Sequence, residues 1–338
     1  MKRFFAWGNR LHNGETSIPF VGKGKLWLAI AGVLVILSLL VPLIAGFNFG
    51  IAFKGGSQFQ IDHVSDTSPG KGEGIVSGAV SGSEPRLTPT SDTAVQIETN
   101  QLSDDEMQQV RDALIEGYDV SNEDVTSTFV GPEWGQDVTE KMIRALVIFV
   151  AIAMIVMALY FRTWKMSLAA IIGLVVVMIV TMGIYSATGI EVTPEAVIGF
   201  LTVLSFSLYD TVVVFDKIRE NTARFKEKRD LKFSELVNLG VNQTTVRSIN
   251  TTVVSVLPVA SILFIGVLAL NAGTLVDISL SLFIGMIVAA SSTLFVASPL
   301  YALLRAHEPA VREQEEAVRQ LRLDRGVEDV PPVIHAEV

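Results

Sequence analysis

Cysteine is absent from all 338 residues, which excludes disulfides, thiolate nucleophiles, Cys-ligated zinc and palmitoylation. Histidine is scarce: His12, His63, His307 and His335 are scattered, with no two at metal-ligand spacing. Metal ligands usually include His or Cys, so no metal and no cofactor is expected. Charge is also thin. Asp, Glu, Lys and Arg make up 18% of the chain, where roughly a quarter is usual for a soluble domain. Half the residues are hydrophobic and the mean hydropathy is +0.47. This is the composition of a membrane protein.

A hydrocarbon core of about 30 Å needs about 20 apolar residues as helix. Six stretches meet that length: 26–47, 142–161, 167–187, 197–215, 251–270 and 278–301. The first follows a basic N-terminus. Its apolar run exceeds the roughly 7–15 residues of a signal sequence and no A-x-A site follows, so it reads as an uncleaved anchor. Six spans place both termini on one side. That side, comprising 1–25, the second-to-third turn, the basic loop 216–250 and the tail 302–338, holds 20 of the 26 Lys and Arg, and the other side holds 6. The positive-inside rule puts the termini in the cytoplasm, in a multi-pass protein of the cytoplasmic (inner) membrane.

The segment 48–141 is then extracytoplasmic and acidic. Gly50, Gly55 and Gly56 precede an alternating run, Ser57–Asp62, that reads as a strand. The glycines lack the strand-to-helix context and the Lys-Ser/Thr ending of a phosphate loop. They suit a sharp exit from the membrane. Residues 63–92 are rich in Ser, Gly, Pro and Thr and poor in apolar groups, and are expected to be a flexible insertion. Thr93–Thr99 reads as a second strand. Ser103-Asp-Asp-Glu106 is a capping box that opens a helix to about Glu116, with Met107, Val110 and Leu114 on one face. Val125–Val130 reads as a third strand, broken by Gly131-Pro132. The expectation is an α-helical membrane protein with six transmembrane helices and a small α+β head. Nucleic acid does not suit an acidic surface on that side of the membrane.

The fourth span contains one acid, Asp210, about 9 Å deeper than the interfacial Asp216 at 1.5 Å per residue. Ionisable groups at such depth are costly and by default functional. Thr202, Ser205 and Tyr209 form a polar stripe that Asp210 flanks, expected to face the bundle interior. Hydrocarbon opposes ionisation and a nearby cation favours it, so an acid held between the two can load and release a proton. Arg247, at the start of the fifth span, is a permanent cation that suits either this role or that of a positive-inside anchor. Ser281, Gly285, Ala289 and Thr293 form a ladder of small residues suited to close helix packing in the sixth span.

The stretch Leu208-Tyr-Asp-Thr-Val-Val-Val-Phe-Asp-Lys-Ile-Arg-Glu-Asn221, followed by Asn242-Gln-Thr-Thr-Val-Arg247, resembles the SecF family of bacterial protein-export subunits. Gly50–Gly56, Phe129-Val-Gly-Pro132 and Ala297-Ser-Pro299 agree, and the resemblance runs from about residue 24 to 305. It implies an RND-type fold, a SecD partner, the SecYEG translocon with YajC and SecA nearby, a translocating preprotein, and export aided by the proton-motive force. On this pattern the membrane carboxylate falls on Asp210 and its cytoplasmic-side arginine on Arg247, with Thr202, Ser205, Tyr209, Asn242 and Gln243 as supporting polar groups. The family's Gly-Ile-Asp-Phe reads Gly50-Ile-Ala-Phe53 here, so no role transfers to that acid. Tyr209 stands where the family often has Asn, and neither 63–92 nor the tail from 306 inherits a role. Half of another RND-type exporter shares this physics, although the small head argues against it. An intramembrane aspartyl protease would need a second aspartate facing Asp210, whereas Asp277 falls on the opposite side. A passive assembly scaffold is the remaining alternative.

Overall fold

A computed structural model describes residues 2–161, 163–266 and 273–326. Six helical segments in it are long and apolar enough to cross a membrane. They are α2 (Gly24–Ala45), α6 (Pro132–Phe161), α7 (Trp164–Thr188), α8 (Pro194–Thr222), α9 (Phe233–Ile265) and a sixth that starts with α10 (Gly273–Ser292). The sixth continues through a π-turn, Thr293–Ala297, into α11 (Ser298–Arg305). Leu43 and Ile44 on α2 are 80% and 88% exposed, and Leu159 on α6 is 74% exposed. Continuous apolar surface of this kind belongs in lipid rather than water. The chain is a multi-pass membrane protein.

Helices α7, α8 and α10 form the interior of the bundle, and α9 leans on α8 and α10. The small-residue ladder does what its chemistry suggests: Ser281, Ala289 and Thr293 are buried, and a Cβ at Gly285 would fall 2.5 Å from Val203 on α8. The helices outrun their apolar cores. Much of 216–250, expected as a loop, is helix, because α8 runs on to Thr222 and α9 begins at Phe233. Hydropathy marks where a helix meets lipid, not where it ends. The end of the fifth expected span, 267–270, lies outside the described residues.

Before α2, the short helix α1 (Lys2–His12) lies against α9. At the same end α12 (Pro309–Asp324) docks on α9 through buried Val311 and Val318 and the Arg322–Glu235 ion pair at 2.6 Å. Glu308 ahead of α12 is partly buried, but Arg305 and Lys165 outweigh that cost and hold its carboxyl below the usual range.

At the other end stands the head. After α3 (Ile51–Lys54), Gly55 and Gly56 take φ of 78° and 143° and turn the chain into β1 (Gly56–Ile61). Only glycine enters this region freely. The sheet is antiparallel in the order β2-β3-β1-β4, with β2 Arg86–Ser91, β3 Ala94–Thr99 and β4 Val125–Val130. Phe59 faces Ile97 on one side and Ser127 on the other. Two helices cover one face, α4 (Pro69–Ala79) and α5 (Asp104–Tyr118), the latter opened by the Ser103–Glu106 capping box.

The segment 63–92 is therefore not a flexible insertion but a helix and an edge strand of the head. One of its glycines is there for proximity. Gly72 is pressed so close to the sheet that a Cβ would lie 2.7 Å from the Tyr118 hydroxyl and 2.9 Å from Ile97. Val76 and Leu87 complete the core, and Glu73 accepts a hydrogen bond from the Leu87 amide at 3.1 Å. Few apolar residues suffice where a helix backbone lies directly on the side chains of the core.

Gly72→Val is expected to destabilise the head by about 1–3 kcal/mol through overpacking, whereas Gly74→Ala, which meets open space, changes little. Limited proteolysis of the full chain checks this. Rapid cleavage within 63–92 in the unaltered protein would refute a folded α4.

Candidate functional site

Asp210 lies on the buried face of α8, which also carries Phe200, Val203, Ser207, Thr211 and Val214. Its side chain is 3% exposed. The Ser248 hydroxyl on α9 donates to Asp210 Oδ1 in a short hydrogen bond. Thr211 and Thr293 hydroxyls, both buried, are 3.1 Å apart, and Thr293 stands close enough to act on the carboxyl. Thr293 begins the π-turn, where the extra residue per turn re-aims side chains. The turn is braced by Ser298 donating to the Thr293 carbonyl at 2.9 Å and by Ser292 donating to the Gly173 carbonyl at 2.9 Å. Three helices thus converge on one acid. Its Oδ2 is buried and has no hydrogen-bond partner among the described residues.

Arg247 immediately precedes Ser248 on α9 and projects into a polar cleft of about 530 Å³, lined also by His12, Asp216, Lys217 and Gln243. It makes no ion pair with Asp210 but is near enough to act on it through space. The cation stands one helical position from Ser248, the hydrogen-bond donor to the acid.

The polar stripe falls elsewhere. Thr202, Ser205 and Tyr209 share a face, as their spacing requires, but that face is exposed and Tyr209 is 56% accessible. Thr202 and Ser205 bond their own helix, to the Ile198 and Leu201 carbonyls. The expectation that the stripe faces this chain's interior is corrected: one residue is a 100° rotation, enough to turn Asp210 inward and Tyr209 outward.

Asn242 and Gln243 are likewise not at the acid. Asn242, 1% exposed, accepts from the Ile18 amide at 2.8 Å and donates to the Ile18 carbonyl at 3.0 Å, clamping the N-terminal segment to α9. Gln243 accepts from Asn221 at 2.9 Å and ties α8 to α9. Of the residues that do meet Asp210, Thr293 reads in the sequence only as a small packing residue of the ladder, and Ser248 lies in a polar stretch, 242–252, where nothing sets it apart from its neighbours.

Comparison with known proteins decides the family. Residues 110–307, more than half the chain, match the model of the protein export membrane protein SecD/SecF, C-terminal part. The chain belongs to the SecD/SecF family. The protein translocase subunit SecF of Streptomyces coelicolor is 38% identical over 318 residues, covering 94% of this chain and 85% of its own length. The SecF of Mycobacterium tuberculosis is 36% identical, over 93% of this chain and 73% of its own. The crystal structure of SecDF from Thermus thermophilus superposes with a TM-score of 0.78 at 25% identity, over 87% of this chain. This chain spans 39% of the length of that SecDF chain.

A second acidic site joins the head of this SecD/SecF-family chain to its bundle. Glu191, between α7 and α8, lies over Gly50, where any side chain would collide with its carboxyl. Val192 and Phe49 form a parallel bridge, with the Val192 amide donating to the Asn48 carbonyl at 2.7 Å. Gln96 Nε2 reaches both Glu98 on β3 and Glu191, each at 3.3 Å. Burial first, then the charge of Glu98 and a hydrogen bond between the two carboxyls, push Glu191 up to about 9, against the opposing pull of Lys54. The charge of Asp277, at the start of α10, acts in the same upward sense.

An acid whose folded value is raised from 4.5 to about 9 contributes fully below the lower value and loses that contribution as pH rises through the upper one. Thermal stability in detergent is therefore expected to decline from pH 4.5 to about pH 9 and to level off above it, and Glu191→Gln should flatten that decline. An identical alkaline slope in the variant would show that another group is responsible.

Proposed function

We propose that the chain is the SecF-type subunit of the Sec export machinery and uses the proton-motive force to promote movement of a preprotein across the cytoplasmic membrane. The observation that carries this is Asp210, buried where three helices meet, with one oxygen bonded and the other free to hold a proton. A buried oxygen lacking a donor is tolerated in a neutral carboxyl and costly in a carboxylate. Ionisation creates a demand for a second donor. Arg247 stands one position away on α9, and modest rotation of that helix brings it round. One proton falling through about 150–200 mV supplies roughly 3–5 kcal/mol, enough to shift a two-state assembly by orders of magnitude in population.

The excess of basic residues at the α1–α12 end supports an orientation with both termini in the cytoplasm and the head outside. In that orientation the head meets polypeptide as it emerges. The exposed face of Thr202, Ser205 and Tyr209 supports a second membrane subunit packing against α8, since hydroxyls facing bare lipid gain nothing. A SecD-type protein is the partner in this reading, and SecYEG, YajC and SecA complete the assembly. The reading is non-enzymatic. A protease dyad needs two acids sharing one site, and Asp277 lies at the head end beside Thr193 and Glu195, away from Asp210.

In membrane vesicles with an imposed proton gradient, Asp210→Asn is expected to reduce export to the level seen without the gradient, with co-purification of the other subunits unchanged. Gradient-stimulated export by the assembled Asn variant would refute proton coupling at this site and favour a scaffold.

A further inference from the structure

Helix α6 is buried against the rest of the protein at both ends, and a gap lies beside its middle. Gly135 packs against the backbone of Phe53 at one end, and Ala153, Met157 and Phe161 are buried at the other. No residue of α6 from Gln136 to Ile152 is fully buried. The gap encloses a cavity of about 360 Å³ between α3, α6, α7 and α8, in the head-side half of the membrane. Met142, Leu146, Met182 and Phe200 are among its lining residues, and Ile143, 58% exposed, stands at its mouth. Its depth along α6, from Thr139 to Leu146, is about 10 Å.

Two polar residues line it. The Thr139 hydroxyl is already bonded to the Gly135 carbonyl at 2.8 Å. Lys54, at the rim on α3, is exposed and has no ion pair among the described residues. The α6 cations nearby are engaged: Lys141 with Asp137 and Arg144 with Glu140. Water needs two to four polar partners to settle in a cavity, and this one does not supply them. A long apolar group with an anionic end matches both the lining and the rim.

We propose that this cavity holds one acyl chain of a phospholipid from the head-side leaflet, with the Lys54 ammonium on the lipid phosphate. The carboxyl of Glu191, which acts on Lys54 from the neighbouring loop, is pushed toward neutrality and leaves the ammonium available. The lipid then packs at the joint where the head's anchoring helix α3 meets α6, filling contacts that the protein lacks.

The test uses the protein purified with its membrane partners into nanodiscs of equal phosphatidylglycerol and phosphatidylethanolamine, followed by native mass spectrometry. One lipid should survive release, phosphatidylglycerol exceeding phosphatidylethanolamine by about fivefold, as one basic side chain near a membrane surface provides. Lys54→Gln, at an exposed position that folding does not need, should bring the two lipids to parity, and Lys54→Arg should keep the preference. Met182→Trp, which fills the cavity, should lose the retained lipid, and a benzophenone side chain at Ile143 should crosslink to lipid. The proposal is overturned if Lys54→Gln retains the same excess of phosphatidylglycerol, or if the Ile143 crosslink runs to polypeptide. Neither result bears on Asp210 or on export, so failure here leaves the functional reading standing.

Discussion

Hydrocarbon offers a carboxyl group nothing to bond to, and the packing of α8, α9 and α10 is organised around that shortage. Asp210 draws its donor from Ser248 across a helix interface. The close approach that makes this possible comes from small residues: Gly285 against Val203, and the buried Ser281, Ala289 and Thr293 along the same helix. Bulkier side chains on α10 would part the helices and strand the acid. The π-turn lies in the same region, since its first residue, Thr293, meets Thr211 beside the acid.

The two acidic sites, one within α8 and one just ahead of its first turn, differ in kind. At Asp210 a single carboxyl meets hydroxyls, with a permanent cation next to the donor Ser248 on α9. At Glu191 two carboxyls crowd together with Gln96 between them, and Asp277 adds to the negative field. The first arrangement is the one to which the proposed function assigns a change of charge. The second ties the sheet of the head to the loop between α7 and α8.

Much of this was legible in the residues. The six spans follow from runs of about 20 apolar side chains, and no competing structure satisfies their backbone in lipid. Alternation disclosed β1, β3 and β4, and the capping box at Ser103 fixed the start of α5. Asp210 announced itself by its cost. What stayed hidden depends on proximity in space. Glycine in α4 looked like disorder because composition does not reveal that Gly72 faces a sheet. Periodicity grouped Thr202, Ser205 and Tyr209 correctly on one face but could not say which face turns inward. Asn242 belonged to a motif that pointed to the acid, yet its amide spends its bonds on Ile18. Glu98 and Glu191 are 93 positions apart, beyond the reach of any local pattern.

Helix α6 is unbroken from Pro132, at the edge of the sheet, to Phe161 at the far surface, and contains no proline after its first residue. Its 30 residues form a rod about 45 Å long, stiff over its whole length. Such a rod behaves as a lever whose fulcrum is the packed stretch from Ala153 to Phe161. A tilt of about 5° there carries the opposite tip, and the β-sheet joined to it, through roughly 3–4 Å. Small angular adjustments among the packed helices are thereby converted into displacement of the domain beyond the bilayer, with no hinge required in between.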